Sequence, residues 1–172
     1  MNLKDYIRDI PNFPKEGIIF KDITTLLKDA GALKESIRQM AEPFRDKGIT
    51  KVCGIESRGF IFGMPLAIEL NAGFVPIRKE GKLPWTKISQ EYVLEYGTDR
   101  IEIHKDAIED GEKTLVVDDL LATGGTAEAS LKLLAKLNAN VVGFAFLIEL
   151  EFLNGRKLIE NQVEELTALF KY

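Results

Sequence analysis

Cysteine is almost missing from these 172 residues: Cys53 stands alone, so no disulfide closes within the chain and a crosslinked secreted scaffold is excluded. Between Val52 and Gly54-Ile55 it reads as a small core residue in a reducing compartment, not as a nucleophile. Histidine is equally scarce, and the single His104 is expected on the surface, alternating outward with acidic neighbours. No apolar run spans a bilayer; the longest, residues 141–148, falls far short of the ~20 residues required. The first five residues lack the apolar centre of a signal peptide, and a cytoplasmic protein is expected. Positive charge is not in excess, since 23 Lys and Arg against 27 Asp and Glu leave a net charge of −4. General nucleic-acid binding therefore has no electrostatic footprint. Neither Gly-x-x-x-x-Gly-Lys-Ser/Thr nor Gly-x-Gly-x-x-Gly occurs, which removes the P-loop and the dinucleotide fingerprint. With no internal repeat, low-complexity stretch or linker, residues 1–172 are expected to form one domain.

What is present centres on residues 114–126. Leu115, Val116 and Val117 form the short apolar run of a strand buried on both faces, and Asp118 and Asp119 stand where it is expected to end. Thr123-Gly124-Gly125-Thr126 then opens a helix to about residue 137. Main-chain N–H groups at such a turn converge on one point, and the helix dipole adds positive potential there, which makes a phosphate cradle. Two carboxylates beside a phosphate would repel it. They make sense facing sugar hydroxyls, a magnesium ion, or a carbon that turns cationic during reaction. The plainer alternative is a strand-ending turn in which Asp caps the next helix and the glycines merely permit the bend.

The string from Val116 through Asp118-Asp119-Leu120-Leu121-Ala122-Thr123-Gly124-Gly125-Thr126 resembles the motif with which type I phosphoribosyltransferases bind 5-phosphoribosyl 1-pyrophosphate (PRPP). Its Leu-Leu-Ala-Thr-Gly-Gly-Thr form is similar to that of the adenine phosphoribosyltransferases. Further segments repeat the likeness in order along the chain. Phe13-Pro14 through Gly17 to Phe20-Lys21-Asp22-Ile23 resembles the hood that covers the base, with Lys21 where that family commonly has Arg. Glu56-Ser57-Arg58-Gly59-Phe60 resembles its pyrophosphate loop, Arg78-Lys79 through Gly81-Lys82-Leu83-Pro84 its flexible loop, and Leu94-Glu95-Tyr96-Gly97 the segment that approaches the base. Glu149-Leu150 through Phe152-Leu153-Asn154-Gly155-Arg156 resembles its tail.

Read on their residues alone, several of these segments stay open. Arg58 by itself is a surface charge; beside the acidic loop it becomes a candidate clamp, because a guanidinium binds two phosphate oxygens at once. The basic loop after Ile77 is either a solvated connection held by Trp85 or a lid that closes on a polyanion. Glu95 is either a solvated strand carboxylate or a proton acceptor. Leu3, Tyr6, Ile7 and Ile10 predict a short helix stopped by Pro11. Leu33 to Phe44 predict a helix over residues 29–47, with Pro43 inside it allowing a kink or an early end. Strands are expected at residues 51–55, 74–77, 141–148 and, as a final edge, 167–171, with a hairpin of residues 90–97 and 100–104 turning on Gly97-Thr98-Asp99.

The expected fold is α/β, a parallel twisted sheet flanked by helices, with a hood in residues 1–25 and a flexible loop and β flap in residues 78–104. The resemblance implies transfer of the phosphoribosyl group from PRPP to adenine, giving AMP and pyrophosphate. It implies Asp118, Asp119, Glu95 and Arg58 as catalytic residues, and Ala122, Thr123, Gly124, Gly125 and Thr126 around the 5-phosphate. Ser57, Arg58, Gly59, Arg78 and Lys79 fall to the pyrophosphate, and Ile19, Phe20, Lys21, Leu121 and Tyr96 to adenine. Magnesium is implied as cofactor, carried mainly on substrate oxygens without a dedicated protein site, and a homodimer as the assembly. A xanthine or hypoxanthine enzyme, and a PRPP-sensing regulator without catalysis, remain as alternatives.

Overall fold

A computed structural model describes residues 1–94 and 96–172. The expected N-terminal helix is mostly absent. Leu3–Tyr6 makes one 3-10 turn, capped by Asn2 accepting from the Lys4 N–H, and the chain then extends as β1 (Arg8–Pro11) antiparallel to β2 (Ile19–Asp22). So short a helix is marginal by itself, and cross-strand pairs favour the hairpin: Arg8 meets Asp22 at 2.5 Å and Lys21 meets Asp9 at 2.7 Å. After α1 (Thr24–Leu27), α2 (Ala30–Ala41) is capped by Asp29, which accepts from the Ala32 N–H at 2.8 Å. It ends earlier than residue 47, because Pro43 cannot supply the next helical N–H and residues Glu42–Phe44 tighten into a 3-10 turn.

The remaining elements alternate: β3 (Lys51–Ile55), α3 (Gly59–Glu69), β4 (Gly73–Lys79), β5 (Lys87–Leu94), β6 (Gly97–His104), β7 (Lys113–Leu121), α4 (Gly125–Ala135), β8 (Asn140–Glu149) and β9 (Glu165–Lys171). Among the described residues they make a seven-stranded sheet in the order β5-β6-β4-β3-β7-β8-β9. β4, β3, β7, β8 and β9 run parallel, whereas β6 joins β4 antiparallel only at Arg78↔Glu102 and Lys79↔Ile101. β3 sends its crossover to β4 on one side while β7 flanks it on the other, so the order reverses between β3 and β7. Loops leaving those two strands open beside each other there, which is where open α/β sheets bind ligands.

Both faces of the sheet are covered. Leu115 and Val117 pack with Phe44, Phe62 and Leu66 under α2 and α3; Val116 faces the other way, with Phe144, Phe146, Leu133 and Leu134 under α4. The flap adds Ile101 and Ile103 to this second cluster.

Three expectations need correction here. β7 does not end at the acidic pair; it continues through Asp118 and Asp119, pairing Leu120↔Ile148 and Leu121↔Glu149. Pairing of β5 with β6 reaches Leu94↔Gly97, so Gly97, Thr98 and Asp99 lie in a strand instead of forming the turn. His104 does not face outward. Its Nε2 is buried without a hydrogen-bond partner, and Trp85 meets its ring edge-on at 6.4 Å.

Candidate active site

β7 delivers its carboxylates to the end of the sheet and then turns into the phosphate-type loop. Gly124 adopts φ 89°, the left-handed region, as it caps α4, a conformation open to glycine without strain. The loop is seated on the tail beyond β8, where Asn154, at φ 55°, turns the chain so that Gly155 lies against it. A Cβ built on Gly155 would come 2.3 Å from the Ala122 carbonyl oxygen and 2.8 Å from the Gly124 nitrogen. Arg156 fixes that tail by gripping the buried Glu149 carboxylate with Nε and a terminal nitrogen, at 2.9 and 2.7 Å. A cavity of about 210 Å³, lined by residues 118–127 with Arg58 and Phe146, opens at this turn.

The loop after β3 forms the facing wall. Its Glu56–Ser57 peptide is cis, and α3 starts at Gly59 in close packing with β7: a Cβ there would lie 2.8 Å from the Val117 carbonyl oxygen and 3.1 Å from an Asp118 carboxylate oxygen. Glu56 accepts from the Lys79 N–H at 2.9 Å, from Arg78 Nε at 3.3 Å, and from Lys82 Nζ. Burial alone would raise its pKa, but these donors outweigh the burial and hold it below the usual carboxylate range. Arg58 reaches across to Asp119, with Nε 2.6 Å from Oδ2. Half of the arginine side chain is exposed, so the pair contributes about 1 kcal/mol or less and gives way readily to a better anionic partner.

Asp118 and Asp119 divide the site between them. Asp118 lines the cavity at the turn and a second one of about 430 Å³ that it shares with Ser57, Arg58 and Lys79. Asp119 lines both and also a third, of about 330 Å³, under the β1–β2 hairpin. Desolvation pushes the pKa of Asp118 well above the ordinary carboxylate value, and the neighbouring Asp119 charge adds to the shift. The third cavity is apolar: Ile18, Ile19 and Phe20 roof it, Leu120, Ile148 and Leu150 floor it, and Phe13 packs edge-on to Phe20 at 5.3 Å. A polar cup, an acidic pair and an apolar slot therefore meet at Arg58 and Asp119.

A sequence profile described as the phosphoribosyl transferase domain matches residues 22–166. The adenine phosphoribosyltransferase of Acaryochloris marina is 58% identical over 172 residues, covering 100% of both chains. The chain belongs to the adenine phosphoribosyltransferase family. Crystal structures agree: that of the Rhodothermus marinus adenine phosphoribosyltransferase superposes with a TM-score of 0.92 at 52% identity, covering 99% of this chain and 96% of its own. The Saccharomyces cerevisiae enzyme, complexed with an imino-altritol bisphosphate and adenine, gives 0.90 at 40% identity, covering 97% and 96%.

Against this family frame, the structure gathers Ser57, Arg58, Lys79, Asp118, Asp119 and residues 122–126 around two adjoining cavities, and Ile19, Phe20 and Lys21 around the third. Others fall elsewhere. Gly59 serves the close packing of α3 on β7, and Arg78 faces Glu56. Lys79 borders the second cavity, but its Nζ is engaged by Asp99 at 2.6 Å and by the Tyr92 hydroxyl; burial lowers its pKa and these partners more than offset that, raising it. Leu121 is buried in the core below the cup, and Leu120 takes its expected place facing the hood. Tyr96 is 89% exposed on the flap, away from all three cavities. Glu95 lies outside the described residues. Sequence reasoning missed Gly155, Glu56, Asp99 and Leu120. Only Gly155 carried a local signal, the Asn-Gly turn dipeptide.

Proposed function

We propose that residues 1–172 act as one domain that transfers the phosphoribosyl group from PRPP to adenine, releasing pyrophosphate and forming AMP, a purine-salvage reaction. The observation that carries this reading is the meeting of the glycine cup, the acidic pair and the apolar hood at Arg58 and Asp119. The 5-phosphate sits on the main-chain amides of residues 122–126 and the hydroxyls of Thr123 and Thr126, where the α4 dipole favours an anion. Pyrophosphate lies along Ser57, Arg58 and Lys79. As its bond to the anomeric carbon breaks, the sugar gains positive charge, and Asp118 and Asp119 stabilise it from one side. A ring nitrogen of adenine, held between Phe20 and Leu120, forms the new bond and releases its proton, for which Glu95 is the proposed acceptor. Tyr96 is the proposed cover once the flap closes.

Among the described residues no three His, Cys, Asp or Glu side chains converge as a metal site. Oxygen donors on a polyphosphate, with waters, suit magnesium better than this pair of carboxylates alone, so magnesium enters as part of the donor, bound PRPP. Bound there, it would supply positive charge against the departing pyrophosphate; Arg58 and Lys79 orient that group, and Asp118 and Asp119 accept from the ribose hydroxyls.

Incubation with adenine, PRPP and magnesium is expected to yield AMP and pyrophosphate, with adenine outcompeting hypoxanthine, xanthine and guanine when the free bases are mixed. No AMP, or equal use of all four bases, would sink the assignment.

The proposed assembly is a homodimer in the cytoplasm. On α3, Ile61, Met64 and Ile68 lie at helical spacing on one exposed face, Ile68 at 75% exposure, and among the described residues no helix is long and apolar enough to cross a membrane. Light scattering is expected to give twice the chain mass; a mass of one chain counts against the dimer.

A further inference from the structure

The hood is anchored by a side chain that touches neither cup nor carboxylates. In β2, Lys21 follows Phe20 and borders the hood cavity with it, while its ammonium end is taken up by Asp9 and Tyr172. There its ammonium lies 2.7 Å from the Asp9 carboxylate and 4.0 Å from the centre of the Tyr172 ring, with only 14% of the side chain exposed. Lys4 approaches the same ring, 4.5 Å from its centre, and donates to the Lys171 carbonyl at 3.3 Å. Two cations over the one ring make a directional attachment, since each is held by the ring's negative quadrupole. The main chain of Tyr172 is fixed as well. Its N–H donates to the Glu149 carbonyl at 3.0 Å, and its carbonyl accepts from the Glu151 N–H at 2.8 Å. Those two partners bracket Leu150, which floors the hood cavity. Tyr172 therefore ties the floor of that cavity, through its backbone, to the strand carrying Phe20, through its ring.

We propose that Tyr172 is a positioning residue for the base: with Lys21 it sets the height of Phe20 above Leu120 and Leu150, and so the affinity for adenine, while leaving the donor site untouched. This rests on the reading of the hood as the adenine site. It also gives Lys21 a task.

The test compares steady-state constants for Tyr172→Leu, Tyr172→Phe and Phe20→Ala with both substrates varied. Tyr172→Leu keeps the main-chain bonds and an apolar side chain but loses the π face. It is expected to raise KM for adenine about five- to tenfold, with KM for PRPP and kcat at saturating adenine within twofold of the parent. Tyr172→Phe, which keeps the ring, is expected to restore the parent KM. A merely structural role would shift both KM values or kcat together, or leave Phe no better than Leu, and either result overturns the proposal. Phe20→Ala separates the two readings. If it raises KM for adenine and Tyr172→Leu does not, the positioning role alone fails; if Phe20→Ala also leaves it unchanged, the hood does not hold the base and both fall.

Discussion

Replacing Asp118 and Asp119 together by Asn is expected to lower kcat by about 10²–10⁴-fold, the range found when a group aimed at transition-state charge is neutralised, with the fold unchanged by circular dichroism. Asn keeps the shape of each side chain and can still accept from neighbouring donors. What disappears is the negative charge that a cationic sugar needs, so the loss falls on kcat more than on KM. Near-normal turnover would remove the pair from the chemistry. The same carboxylates make a second, opposite demand on stability. Asp118 is desolvated and stands beside another acid, which raises its folded-state pKa well above the ordinary value. A carboxylic acid with a raised folded pKa binds its proton more tightly when folded, so keeping it ionised costs stability at neutral pH. Asp118→Asn alone should therefore increase Tm at pH 7, by about 2 °C or more, even as it slows the reaction. The gain should be complete above the raised folded pKa, shrink as pH falls toward the unfolded value, and vanish below it. A Tm unchanged or lowered at pH 7 would show that burial of this charge carries no penalty.

The second large effect concerns a residue with no side chain. Gly155→Ala would place a methyl where the Ala122 carbonyl and the Gly124 amide already lie, at 2.3 and 2.8 Å. Main chain cannot rotate away as a side-chain tip can. The cup must therefore deform, and overpacking of this kind costs about 1–3 kcal/mol. KM for PRPP is expected to rise about 10- to 100-fold, with KM for adenine nearly unchanged because the hood does not touch this contact. Gly125 provides the control for stability, since a Cβ there meets nothing within 4 Å: Gly125→Ala should melt with the parent while Gly155→Ala melts earlier. Unchanged PRPP kinetics in Gly155→Ala would mean that the loop's shape does not govern binding of the donor.

Much of this was legible locally. Lys51–Ile55 and Asn140–Glu149 are apolar runs between polar turns, and they lie within a residue or two of where their composition puts them. Residues 122–126 read locally as a turn of glycines and hydroxyls opening a helix, and they do line a cavity where α4 begins. Several of the misreadings share one cause: each depended on a partner distant in the chain. Leu3, Tyr6, Ile7 and Ile10 have helical spacing, but Asp22 and Lys21 draw the segment into a hairpin. The Asp pair resembles a strand end until β8 supplies partners for Leu120 and Leu121. His104 alternates like a surface residue, yet Trp85 covers it. Gly155 lies thirty residues from the loop it supports, and nothing in Asn-Gly itself says which main chain will rest there.

The contact between Arg58 and Asp119 has a thermodynamic consequence for the order of events. Both members border the two polar cavities and the apolar slot under the hood, so on the proposed placement of the substrates a ligand on either side meets a bond that the opposite side also feels. On that placement PRPP and adenine are expected not to bind independently. By linkage, any factor by which the first changes the affinity of the second is returned in equal measure, with this one ion pair as the expected carrier of the coupling.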